Sequence, residues 1–453
     1  MFLNAWFNRL QRARVLKKVT DMAALESARE RAEQARLERG APHVVEYFHQ
    51  MDDPHSSLAA QCLLTLQKRY DIVLHIYLVS AEPAANEHVP ARFITEDALL
   101  IAPYYDLHFE PVEGAPESDL AMQAMAIVTA ASDTQRAEAL DAVCDMLWRS
   151  AASELDDMAL KYGQATEEET QFFLDHGNAR RREIGALNSG AFYYEGEWYS
   201  HIDRLYHLEN RLTGLGARRV LGRKLVTPRP VVRADRLNDD TELSLEVFLA
   251  LDSPECAIAL ARLQRIVHDS GVRLRPRILR GTGASGVRVD SAADIHRLKD
   301  LTREAHALGV SRAAVSRIPT ASQLEQALLL WYWAKSQGKE VAFLSAYYSA
   351  VFFDGEPLGS VGSWQKIIGQ LGLPTAVVGG VLKAAADGAF DAESQNLANL
   401  AQSGFGRFPL MRLLGVNGYV NIETVGHDRL WLIAQRMNHC NRFNDTVFGN
   451  YAF

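Results

Sequence analysis

The fold is decided by Val44-Val45-Glu46-Tyr47-Phe48, by Asp53-Pro54 opening a helical stretch to about Arg69, and by Asp71-Ile72-Val73-Leu74-His75-Ile76-Tyr77-Leu78-Val79. Two apolar, β-branched and aromatic runs flank one helix and read as strand, helix, strand. A crossover of that length makes the two strands parallel neighbours. The same grammar returns about 200 residues later. There Leu245-Glu246-Val247-Phe248-Leu249-Ala250 precedes Ser253-Pro254, and Val272-Arg273-Leu274-Arg275-Pro276-Arg277-Ile278-Leu279 follows the helix.

Outward from these units, residues 20–40 read as a helix ending at Gly40-Ala41-Pro42. Helices are expected over 95–107 and roughly 116–188. Ala191-Phe192-Tyr193-Tyr194 and Glu197-Trp198-Tyr199 then form a hairpin around Glu195-Gly196, and a helix runs from near Asp203 to Gly214. Residues 215–242 lack periodicity. In the second half, helices fill about 292–309 and 320–403. A hairpin follows around Asn417-Gly418, and a closing helix runs from His427-Asp428 to about Met437. The expected organisation is an N-terminal helical segment (1–41), a first domain (42–216), a linker (217–242) and a second domain (243–453).

This doubled order resembles the thioredoxin fold with a helical insertion. In particular it resembles the DsbA-like superfamily and its branch of 2-hydroxychromene-2-carboxylate isomerases and kappa-class glutathione transferases. Glu46-Tyr47-Phe48 with Asp53-Pro54-His55-Ser56, and Glu246-Val247-Phe248 with Ser253-Pro254-Glu255-Cys256, resemble that branch's first strand and helix start. Phe192 to Tyr199 with Asp203-Arg204-Leu205, and Phe405-Gly406-Arg407-Phe408-Pro409 with Gly426-His427-Asp428-Arg429-Leu430, resemble its closing hairpin and last helix. The implied fold class is α/β: two tandem DsbA-type domains, each with a helical insertion, preceded by N-terminal helices.

Redox chemistry in this superfamily uses a cysteine at the helix start, where N–H groups and the macrodipole stabilise a thiolate. Here Asp53 and Ser253 hold that position, and Cys256 stands at the resolving position without a partner. C-x-x-C chemistry is therefore lost from both halves. The resemblance implies that Ser253 holds a glutathione sulfur. Phe408 and Pro409 would align the tripeptide backbone, and Asp428 would bind its amino group. Secondary candidates are Cys256, His427, Asp53 and Asp203. Gly190 stands in the first half where the proline is expected, so that half reads as degenerate.

The expected function is a glutathione-dependent isomerase or transferase acting at the C-terminal domain on a small electrophilic or aromatic substrate. The alternative is a non-catalytic binding or scaffold protein, engaging a protein partner or a second copy. Third comes a single-cysteine thiol oxidoreductase through Cys256. A reachable pocket joining Ser253, Phe408 and Asp428 marks the enzyme; a packed Ser253 whose hydroxyl only caps its helix marks the scaffold.

Composition narrows the field. The 453 residues carry a net charge of −8, contrary to the positive surplus nucleic-acid binding needs. Four dispersed cysteines offer neither a disulfide framework nor a zinc ribbon, and His43, His49 and His55 follow no metal-ligand spacing, so no metal is expected. No stretch spans a membrane, and a cytoplasmic protein is the expectation. Phe2, Leu3, Trp6, Phe7 and Leu10 form one helical face within residues 1–20; packing against protein is preferred to a membrane surface. Gly281 to Gly286 fits G-x-G-x-x-G but opens no helix, and reads as a loop.

Overall fold

The structure is a computed structural model. It describes residues 14–443 except 82–88, 113, 186–188, 221, 223, 240, 282–287, 290, 312–314, 316 and 385–386. The apolar face of residues 1–10 and most of the 281–286 loop lie outside the described residues. Two compact units emerge: Ser27–Ala84 with Pro90–Arg229, and Pro230–Phe453 with the chain through Glu26. No helix among the described residues is long and apolar enough to cross a membrane.

The first unit takes the helix α1 (Met22–Glu38) from Ser27 onward, then β1 (Val44–His49), α2 (Pro54–Arg69) and β2 (Val73–Leu78). β1 lies parallel to β2 and antiparallel to β3 (Ala191–Tyr194), which pairs with β4 (Glu197–Ser200); the sheet order is β2-β1-β3-β4. β1 is buried along nearly its whole length, as a central strand covered on both faces must be. The β3–β4 turn has Glu195 and Gly196 at φ 42° and 83°, the two positive angles a tight hairpin turn requires. Tyr194, Trp198 and Tyr199 of the hairpin are buried in the core.

The expected run over 116–188 is four helices: α4 (Ser118–Ala130), α5 (Arg136–Trp148), α6 (Ala152–Tyr162) and α7 (Glu167–Glu183), preceded by α3 (Ala91–Ile101). α7 crosses β2 so closely that a methyl group at Gly177 would lie 2.0 Å from the Leu78 carbonyl oxygen. Arg180 grips Glu46 of β1 through two 2.7 Å hydrogen bonds, compensating a mostly buried carboxylate. α8 (His201–Gly214) closes the unit. The expected linker is tied down at this end: the buried Glu209 carboxylate accepts from the backbone N–H groups of Val226 and Thr227 and from the Tyr70 hydroxyl.

The second unit repeats the plan. β5 (Ser244–Ala250), α9 (Pro254–Ser270) and β6 (Arg273–Leu279) are followed by helices α10 (Ala292–Ala307), α11 (Ala321–Ser336), α12 (Glu340–Tyr348), α13 (Val361–Gln370), α14 (Val378–Val381) and α15 (Asp387–Ser403). β7 (Leu410–Leu414), β8 (Val420–Val425) and α16 (Leu430–Phe443) complete it, in the order β6-β5-β7-β8. β5 is fully buried, whereas Pro276 sits in the edge strand β6, where a missing N–H is tolerated. The second hairpin joins Leu414 to Val420 through a short helical turn at Val416–Gly418, longer than a two-residue loop. The closing helix begins at Leu430, after a separate turn at His427–Arg429. The chain before Glu26 belongs to this unit, with Leu16 and Val19 buried and the Thr20 hydroxyl donating to the Val315 carbonyl at 2.9 Å.

Candidate functional site

In the second unit Ser253 follows β5 and caps α9, with Pro254 at its first position. The side chain is completely buried. Its Oγ accepts from the Cys256 N–H at 3.3 Å and donates to Glu255 Oε2 at 3.1 Å. Glu255 is in turn held by Arg297, whose Nη2 is 2.6 Å from Oε1. The insertion covers the same turn: the Tyr347 and Tyr348 hydroxyls donate to the carbonyls of Leu251 and Ala250. A cavity of about 140 Å³ in this unit lies elsewhere, lined by Ser349, Asp354, Glu356, Ser363 and Lys366 of the insertion.

Phe408-Pro409 is a cis peptide, and Pro409 stands one step past the Phe248–Leu410 pair, at the end of β5 from which Ser253 follows. Phe408 is 2% exposed. Asp428, partly exposed, lies in the turn before α16 with Oδ1 3.2 Å from His427 Nε2. That same nitrogen is 3.3 Å from Oε2 of the buried Glu304, a residue with no distinguishing sequence signal that α10 brings in.

The first unit holds a denser polar cluster than its expected degeneracy implies. Asp53 caps α2, and its Oδ2 accepts from Ser56 N–H (2.9 Å), Ser56 Oγ (2.6 Å) and Ser189 Oγ (3.2 Å). Gly190 occupies the register position of Pro409, one step past the Phe48–Ala191 pair. It has φ +60°, and an added methyl group would sit 3.1 Å from both Ser56 Oγ and the His201 ring. His55 and His201 stack at 4.7 Å, and His55 Nε2 is 3.3 Å from Asp97 Oδ2. Burial resists ionisation of Asp53, yet the positive potential of His201 and His55 and the bonds from Ser56 outweigh it, so its pKa is lowered. Asp203 lies half-buried in the first turn of α8. No local sequence pattern pairs His55 with His201; α2 and the start of α8 bring them together.

Every cysteine is buried and free. Burial pushes the Cys256 thiol up to about 12 and raises Cys62 and Cys144 as well. Cys144 Sγ meets His49 Nε2 at 3.3 Å, but burial drives that imidazole down to about 3, so the pair stays neutral. None of these four is the exposed thiolate that exchange requires.

The class follows from the connectivity: each unit is a thioredoxin fold of DsbA type, with a helical insertion between its strand–helix–strand and hairpin–helix halves. No family model and no curated protein matches the chain. Among solved structures, a probable DsbA oxidoreductase from Streptomyces coelicolor aligns at 19% identity and TM-score 0.36, covering 44% of this chain and 89% of its own. A 2-hydroxychromene-2-carboxylate isomerase aligns at 18% and 0.37, covering 44% and 97%. The cytosolic disulfide reductase DsbM from Pseudomonas aeruginosa aligns at 14% and 0.33, covering 44% and 97%.

Proposed function

We propose that this chain is a non-catalytic binding or scaffold protein built on two DsbA-type thioredoxin folds. The observation that carries this reading is Ser253. Its hydroxyl has one proton to give, and Glu255 takes it, while its oxygen serves the helix N–H of Cys256. A serine so engaged, with no exposed surface, is a helix cap and not a thiolate holder. The raised, buried thiols oppose disulfide exchange in the same way.

Isothermal titration of reduced glutathione into the intact protein and a Ser253→Ala variant tests it. The expected result is no heat of binding to either at millimolar ligand. Binding by the intact protein that Ser253→Ala weakens overturns the scaffold reading. It would put in its place a glutathione-dependent isomerase or transferase, with Phe408, Pro409 and Asp428 as the remaining contacts.

A further inference from the structure

We propose that the arginine face of β6 is a docking surface for an extended acidic segment of a partner protein. Arg273, Arg275 and Arg277 occupy alternate positions of this edge strand, so their side chains share one face at intervals of about 6.6 Å. They stand opposite Ser244, Glu246 and Phe248 of β5. On the other side of β5, Arg412 of β7 stands opposite Glu246, its Cζ 5.2 Å from the centre of the Phe248 ring, so the same face carries a fourth guanidinium. Two carboxylates lie among them. Glu246 is 2.8 Å from Arg277 and 3.6 Å from Arg412, and Glu423, opposite Arg412 in β8, pairs with it. Arg273 and Arg275 are exposed and make no ion pair or side-chain hydrogen bond with any described residue. The row therefore ends in two uncompensated positive charges.

The fold does not ask for this row. The same register positions in the first unit are Val73, His75 and Tyr77, and Glu46 there takes its guanidinium from Arg180 of α7. Protection of an edge strand does not ask for it either. Pro276 already removes one N–H from β6, the Ser270 hydroxyl accepts the Val272 N–H at 3.1 Å, and Asn396 of α15 donates to the Ile278 carbonyl at 3.1 Å. With the backbone edge blunted in this way, side chains and not added-strand hydrogen bonds carry the recognition. The α15 hydrogen bonds fall on Ile278 and Arg280, at the far end of the strand from Arg273.

Charge and spacing select the occupant. An extended chain repeats its side chains at the interval of the arginines, so acids at alternate positions meet Arg273 and Arg275 one to one, each guanidinium fork taking a carboxylate. Arg277, with a side chain 41% exposed, gives its Nε to Glu246 and keeps its terminal nitrogens for a third. Nucleic acid is disfavoured, because a chain of net charge −8 repels polyphosphate and Glu246 and Glu423 interrupt the positive surface. The proposal supplies the scaffold reading with a partner class and rests on it.

The test is fluorescence anisotropy of a labelled peptide of alternating glutamate and threonine, titrated with the full chain at low and at physiological salt. A single-stranded oligonucleotide of equal charge is the comparison probe. Binding that salt weakens is expected. The double variant Arg273→Glu, Arg275→Glu should lose more than about tenfold in affinity, and Arg265→Glu, at an exposed position of α9, less than about twofold. Circular dichroism verifies that the variants are folded. Absence of peptide binding by the wild type, equal losses in the two variants, or tighter binding of the oligonucleotide overturns the proposal. None of these results touches the scaffold reading, which fails on glutathione binding that Ser253→Ala weakens.

Discussion

Replacing Asp53 separates its cap from its charge. In Asp53→Ala the α2 start loses its N-cap, worth about 1 kcal/mol within a range of about 0.5–2. It also strands the hydroxyls of Ser56 and Ser189, which now donate to an ionised oxygen at 2.6 and 3.2 Å. Bonds to charged groups contribute about 1.5–3 kcal/mol, but Ser189 is partly exposed and regains water, so the combined loss is about 2–3 kcal/mol. Asp53→Asn keeps a capping oxygen and forfeits the charge, and about 1 kcal/mol is the expected cost. The pH sign follows from the lowered pKa. A depressed carboxylate contributes its full stability above its unfolded pKa of about 3.9, and loses it as pH falls through the folded value. The gap between wild type and Asp53→Asn should therefore hold from pH 7 to the ordinary carboxylate range and close below it. Peptide-resolved hydrogen exchange over α2 across a urea series, at pH 7, 4 and 2.5, reads this unit separately from the other. A cost under about 0.5 kcal/mol for Asp53→Ala at pH 7, below the usual range for a lost cap, would refute the reasoning. So would a gap that stays constant into acid.

The four buried thiols should resist an aromatic disulfide reagent at pH 8 and react together once urea unfolds the chain; a fast-reacting native thiol would contradict their burial. Gly177→Ala places a methyl group 2.0 Å from the Leu78 carbonyl oxygen, so α7 must lift from β2. The expected loss is near the upper end of ~1–3 kcal/mol, seen as a lower urea midpoint, and an unchanged midpoint would show the crossing to be looser. Glu209→Ala removes the acceptor for Val226 N–H, Thr227 N–H and the Tyr70 hydroxyl. A loss of about 3 kcal/mol is expected, with faster tryptic cleavage after Lys224; cleavage at the wild-type rate would mean the segment is held by other contacts.

The sheets were legible because β1 and β5 are continuous apolar runs, and a short helical crossover leaves one arrangement for the strands around them. The insertions read as helical without internal bounds, although stop and start signals are present. Gly163 at φ 89° ends α6, and Thr166 with Glu169 forms a capping box at α7, yet both sit in a helix-rich composition that reads as one run. Helix starts of the same kind recur in the second unit, as Thr320 with Gln323 and Ser360 with Ser363. For the site, Ser253 as a helix cap was readable from Ser-Pro alone. What it touches was not. Glu304 meets His427 from 123 positions away, and His55 meets His201 from the far side of an entire insertion. Those pairings are set by how the insertion and closing helix return to the sheet, a property no local pattern encodes.

The two helix starts are closed for different physical reasons. In the first unit a carboxylate, Asp53, caps the helix start where the resemblance would place a thiolate. A second anion about 4 Å from Asp53 would meet roughly 4 kcal/mol of repulsion at an effective dielectric near 20. The helix terminus returns at most about 2 kcal/mol, less than that repulsion, while His201 and His55 act in the opposite sense. In the second unit the nearby Glu255 carboxylate is paired with Arg297. There the obstacle is that Glu255 holds the Ser253 proton and the insertion's tyrosines cover the turn. Acid at the cap in one unit and acid two residues later in the other thus reach the same outcome. Each terminus has one of its N–H groups, that of Ser56 or of Cys256, taken by the capping side chain already present.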